Sequence, residues 1–140
     1  MNHINHINHL GVVAVLVLAG CAVVEPNVVG DNNQVEIRQI QTRHYDTLDK
    51  KMTLRSVVAT LQDLGFVIDD ADLDLGTVSA ERHWGRPMRI TVTVRDQQAK
   101  KTSVRANAHA GKRTVDDPQT YQDFFIALDK AMFLTLNQVD

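Results

Sequence analysis

A chain of 140 residues and 15.7 kDa has room for one ordinary domain and not for two. Fifteen Lys and Arg stand against 17 Asp and Glu, leaving a net charge of −2. That balance excludes a basic nucleic-acid tail and a polyacidic disordered chain. One Cys excludes an internal disulfide and a multi-cysteine metal site, and 44% hydrophobic residues are enough for a packed core.

No charged side chain occurs before Glu25. The opening MNHINHINHL repeats an Asn-His-Ile/Leu triplet, and GVVAVLVLAGC follows. The apolar stretch 10–20 has 11 residues. That is about half of the ~20 that a helix needs to span a bilayer, and it is the length of a secretory apolar region. Leu18-Ala19-Gly20-Cys21 resembles the lipobox of bacterial lipoprotein signal peptides. The resemblance implies cleavage before Cys21, a diacylated thiol, and a palmitate-type acyl chain on the new amino group. The leading segment departs from the pattern in carrying His but no Lys or Arg. The chain then divides into a signal peptide (1–20), a lipidated Cys21 with a flexible tether (21–34), and one α+β domain (35–140). Each buried methylene contributes ~0.8 kcal/mol and one acyl chain is a weak anchor, so two or three chains would hold the protein on a membrane. In enterobacterial lipoproteins an Asp after the Cys favours inner-membrane retention. By the same resemblance Ala22 points to the periplasmic face of the outer membrane.

In chain order, VEIRQIQTRHY at 35–45 is β-like, although its alternation breaks between Ile37 and Ile40. Leu54, Val57, Val58, Leu61 and Leu64 form one helical stripe, capped by Thr53 or Asp49 and stopped at Gly65. Phe66-Val67-Ile68 is a short strand, and 75–82 is a second. HWGRP makes a turn. In MRITVTVRD, Met88, Ile90, Val92 and Val94 face one way, with Arg89, Thr91, Thr93 and Arg95 opposite. QQAK closes a hairpin to TSVRANAHA, where Val104, Ala106, Ala108 and Ala110 alternate with Ser103, Arg105, Asn107 and His109. One-sided alternation predicts an antiparallel sheet with one wet face. Asp117 caps a final helix with Pro118 at its first position. Tyr121, Phe124, Phe125, Leu128, Met132 and Leu136 form its apolar face, which Phe133 and Ile126 extend. The expected fold is α+β: a curved antiparallel sheet in the order β-α-β-β-β-β-α, gripping a long C-terminal helix that comes close over the small inner face of the 101–110 strand.

The segments RHYDTLD, LRSVVATLQDLGFVIDDADLDLGTVSA and YQDFFIALDKAMFL resemble a family of small, uncharacterised lipoproteins of Gram-negative bacteria. The resemblance covers about two-thirds of the chain and brings no activity or catalytic residue with it. The order of elements is also similar to the helix-grip domains of BamC-type outer-membrane assembly lipoproteins, at the level of fold alone.

Asp70, Asp72, Asp74 and Glu81 have the spacing of a calcium loop. Leu75 stands where that loop needs Gly, so the segment reads as a solvated acidic turn. His44, His83 and His109 lie on different elements without ligand spacing. Ser56, Ser79 and Ser103 lack a nucleophile-elbow context. No metal, no cofactor and no enzyme activity are expected.

The charge layout is the strongest pointer. Residues 82–113 hold nine Lys or Arg and one acid, whereas 46–81 hold eight acids and three bases. Arg89, Arg95 and Arg105 are expected on one outer sheet face, with Lys100 and Lys101 at one end. Trp84 is expected at the hairpin tip as an interface anchor or folded back on its own turn. Such a patch attracts anionic partners. The sequence thus describes a non-catalytic interaction or accessory module of an envelope complex, bound to the membrane through its lipid and engaging an envelope protein or another anionic envelope partner, without nucleic acid. The alternative is a carrier of a small apolar or lipidic ligand beneath the last helix.

Overall fold

The computed structural model describes residues 28–47, 49–98 and 100–137. Cys21, the signal peptide and residues 22–27 of the expected tether lie outside them.

The chain runs α1 (Val28–Ile40), β1 (Thr42–Tyr45), α2 (Lys50–Asp63), β2 (Val67–Asp72), β3 (Thr77–Arg82), β4 (Met88–Gln97), β5 (Lys101–Ala110), β6 (Arg113–Thr114) and α3 (Pro118–Asn137). The strands form one antiparallel sheet in the order β1-β5-β4-β3-β2, with β6 also on β5. The α+β class and the expected order of the main elements are found.

The N-terminal part differs. Residues 28–40 are helical, so only Thr42–Tyr45 of the expected strand is a strand, and the helix takes in the end of the expected tether. The break in alternation is the physical reason. Ile37 and Ile40 are three apart, which places both on one helix face, and Ile40 packs against the core.

Helix α2 starts at Asp49, whose carboxylate accepts the Met52 amide at 2.8 Å. Thr53 is one turn inside and returns its hydroxyl to the Asp49 carbonyl at 2.9 Å. The helix ends in a Schellman motif: the amides of Phe66 and Gly65 bond the carbonyls of Leu61 and Gln62, with Gly65 at φ +80°.

Leu54, Val57 and Leu61 of α2 share one core with Val78, Ala80, Ile90, Val92, Val94, Val104, Ala106 and Ala108 of the sheet and with Tyr121, Phe124, Phe125 and Leu128 of α3. Both helices therefore cover the same sheet face. Helix α2 connects the two edge strands and runs closest to β2, β3 and β4, while α3 lies along α2. Helix α3 packs on this sheet face as expected, with Tyr121, Phe124 and Phe125 in one cluster with the small residues Ala106 and Ala108 of β5. Ile126 and Phe133 do not extend its buried face. They are seven residues apart, hence on one side, and that side faces outward with Phe133 65% exposed.

The β5 edge is completed piecemeal. Tyr45 to Thr42 pair with Thr102 to Arg105, the Ala106 amide reaches the Gln41 carbonyl at 2.9 Å, and β6 pairs with His109 and Ala110. Between them the Ala108 amide bonds the Tyr121 hydroxyl at 3.3 Å. That hydroxyl also donates to the Val115 carbonyl at 2.6 Å and accepts from Gln41 Nε2 at 3.1 Å. Nearer the open end, Asp129 of α3 takes the Arg43 guanidinium and the Tyr45 hydroxyl, both at 2.7 Å. Arg43 also stacks on Phe125 at 4.8 Å.

Tyr121→Phe keeps the ring and deletes an oxygen that serves three buried groups. It should lower the unfolding free energy by about 2–3 kcal/mol in urea titration, since each stranded group costs ~1–3 kcal/mol and some relax. Tyr45 generates a pH dependence. Burial, and then the adjacent Asp129 carboxylate, push its phenol far above the ordinary 10.0. The unfolded chain releases this proton near pH 10 and the folded chain keeps it. The contribution is therefore fully present below pH 10 and lost as the pH rises beyond it. Melting curves from pH 9 to 11 should fall more steeply for the native chain than for Tyr45→Phe.

Candidate functional site

With α2 and α3 on one side, the other sheet face carries the outward residues of the six strands. Register settles their neighbours. Arg105 lies opposite Thr93 on β4 and Thr42 on β1, and Arg95 lies opposite Ser103. Arg95 and Arg105 are thus diagonal neighbours, ~7–8 Å apart along the sheet. Both are exposed, and neither has an acidic partner within 4 Å among the described residues.

Arg89 shares this face but not this patch. It is six residues from Arg95, ~20 Å along the strand. Its guanidinium is held by Glu81 on β3 and reaches Asp69 on β2 at 3.7 Å. The expected contiguous trio is corrected to a pair, because Asp69 on β2 and Glu81 on β3 neutralise the third arginine. Lys101 is also paired, with Asp46 at 3.4 Å. Lys100 is exposed in the β4–β5 turn, in a left-handed conformation at φ 60°.

The third cation comes from α1. A depression of about 260 Å³ is lined by Thr93, Arg95, Ser103, Arg105 and Asn107. A second, of about 220 Å³, lies between α1 and β5, where Arg38 joins Arg105, Asn107 and His109. Arg105 and Asn107 line both, so the two make one trough along β5. Arg95, Arg105 and Arg38 line it, and among the described residues no carboxylate does. Arg38 was missed in the sequence because its segment was read as a strand; the i, i+3 pair Ile37–Ile40 was the available signal.

What the trough offers is a set of donors: three guanidiniums, the Asn107 amide and the Thr93 and Ser103 hydroxyls. Guanidiniums present planar forks that match carboxylate and phosphate oxygens. The acidic β2 lies three strand spacings from β5, ~14–15 Å across the sheet, beyond one Debye length at physiological salt. The trough therefore keeps its positive field.

The remaining candidates fall elsewhere. Trp84, 65% exposed at the β3–β4 turn, rests against Gly65, where an added Cβ would come within 2.2 Å of its ring. It lies away from the trough, with its ring 6.0 Å from the Arg82 guanidinium. In the acidic turn, Asp72 spends its carboxylate on the amides of Asp74 and Leu75 at 2.9 and 2.8 Å. Among the described residues, no three His, Cys, Asp or Glu side chains gather as a metal ion would need. His83 lies 3.4 Å from Glu81, and His44 and His109 are exposed on the open face. Among the described residues no helix is long and apolar enough to cross a membrane. Compared with protein-family models the chain matches none, and no curated protein matches it either.

Proposed function

We propose that this chain is a periplasmic lipoprotein of the outer membrane, anchored through acylated Cys21, and that its folded part is a non-catalytic interaction or accessory module of an envelope complex. The surface that engages the anionic partner is the β5 trough. The observation that carries this reading is the trough's composition: Arg95, Arg105 and Arg38 line it, and among the described residues no carboxylate does. Two guanidiniums on the sheet and a third from α1, none with an acidic partner among the described residues, steer and hold an acidic surface while adding little to folding. The anchor rests on the Leu18-Ala19-Gly20-Cys21 motif and the apolar run before it. A carrier of lipid-sized ligands is the weaker reading. The cleft on the helix side of the sheet, lined by Leu64, Phe66, Ile90 and Phe124 among others, holds about 110 Å³. Pockets for drug-sized ligands hold about 300–1,000 Å³.

Two experiments test the two halves. Cys21→Ser should leave an unprocessed precursor; normal processing and outer-membrane fractionation of that variant would overturn the anchor. For the trough, a photo-crosslinking residue at Asn107 should give adducts in cells that one at Ala59, on the exposed side of α2, does not. Arg95→Glu combined with Arg105→Glu should remove those adducts at unchanged melting temperature, since exposed charges contribute about 0–1 kcal/mol each. Arg89→Glu should leave them in place. Equal adducts from all three proteins would sink the assignment.

A further inference from the structure

A second site lies on the helix side of the sheet, separate from the trough and independent of the reading above. The end of α2 and the first turns of α3 leave a cleft against the ends of β3 and β4. Its walls are Phe66, Met88, Ile90 and Phe124, its volume is about 110 Å³, and among the described residues Arg82 is the only cation lining it.

Arg82 is unusual in position and in bonding. Strand alternation turns it to the inner face, on the same side of β3 as the apolar Val78 and Ala80. Its guanidinium stacks on Phe66 at 4.9 Å and on Trp84 at 6.0 Å, which holds the fork in place. Its donors are nearly unused. Nε is buried with no hydrogen-bond partner among the described residues. Nη2 has a long contact to the Arg86 carbonyl at 3.4 Å and one to Met88 Sδ at 3.8 Å. No described carboxylate lies within 4 Å, although Arg43, Arg86, Arg89 and Lys101 all have one. Asp123 lines the same cleft but is exposed, and its carboxylate accepts from Gln119 Nε2 at 2.7 Å.

A half-buried cation, stacked on Phe66 and with its Nε buried and unpaired, at the end of an apolar cleft matches one ligand chemistry: a carboxylate on a short aliphatic chain. The chain fills the space between Phe66, Met88, Ile90 and Phe124, and the carboxylate oxygens take the Arg82 donors as a fork. A site of about 110 Å³ has room for roughly eight water-sized atoms, since each needs about 10–15 Å³ on this measure. A branched six-carbon acid has that size. Asp123 at the rim disfavours a second negative charge. We infer that the Arg82 cleft binds a small monocarboxylate with a branched aliphatic tail, either as a free acid or as the terminal residue of a peptide.

Trp84, the single Trp of the chain, lies beside Arg82 and reports on the site. The full chain in detergent micelles is titrated with 4-methylpentanoate, 4-methylpentanamide and acetate, followed by Trp84 emission and calorimetry. The acid should bind saturably below ~10 mM, in line with the efficiency of small ligands. The amide, which lacks the charge, and acetate, which lacks the chain, should each bind at least tenfold more weakly. Gly-Gly-Leu with a free carboxylate distinguishes the sources: tighter binding than the acid marks a peptide end, weaker binding a free acid. Arg82→Gln should lose at least tenfold for the acid with little change for the amide. The acid-to-amide comparison needs no variant, so it stands even if Arg82→Gln fails to fold. Equal binding of acid and amide, or no saturation by either carboxylate below ~50 mM, would reduce Arg82 to a cation packed on Phe66.

Discussion

One sheet with both long helices on the same side is the constraint from which the rest follows. Inner residues of β3, β4 and β5 are covered by α2 and α3, and the core is a single cluster between them. The opposite face then has to satisfy water. It does so with Thr, Ser, Asn and charged side chains between backbone groups already paired in the ladder. A layer that is finished on one side and wet on the other is a stable platform for polar recognition. Its residues can change without disturbing the core.

The same platform explains why only some of its arginines are available. Sheet order places Glu81 of β3 beside β4 and acidic β2 one strand beyond, so Arg89 is neutralised in place. Strand β5 has β4 on one side and the weakly charged β1 and β6 on the other, so Arg105 keeps its charge. Helix α1 lies along that edge and adds Arg38. The near-neutral total thus conceals a face divided between an acidic edge and a basic trough. The division comes from strand order as much as from composition.

The β1–β6 edge shows how little regular structure is needed when side chains take over the ladder. The Gln41 carbonyl and the Tyr121 hydroxyl supply the acceptors for Ala106 and Ala108 that a longer edge strand would have supplied. Because Tyr121 belongs to α3, docking of the helix and closure of the edge are one event. Asp129 adds a second tie from α3 to β1 through Arg43 and Tyr45. The Arg82 cleft opens where this stitching stops, between the end of α2 and the start of α3.

Much of this was legible in the sequence, for reasons of periodicity. The alternation of Met88 to Arg95 and of Ser103 to Ala110 required two strands with one buried face. The stripe from Leu54 to Leu64 and the Asp117-Pro118 start required two helices. Arg95 and Arg105 were readable as outward-facing because a side-chain period of two survives any register shift by two residues. The N-terminal helix was not, since 35–45 mixes β-branched residues with a single i, i+3 pair, and packing decides such a segment. Nor were the neutralisation of Arg89, the arrival of Arg38 in the trough, or the unpaired Arg82 between Phe66 and Trp84. Each depends on which strand lies beside which and on what crosses the sheet, and local period carries no information about which side chains meet there, whether Glu81 eight residues from Arg89 or Arg105 far along the chain from Arg38. Tertiary structure alone brings those groups together or keeps them apart, because Coulombic and hydrogen-bond energies depend on distance in space.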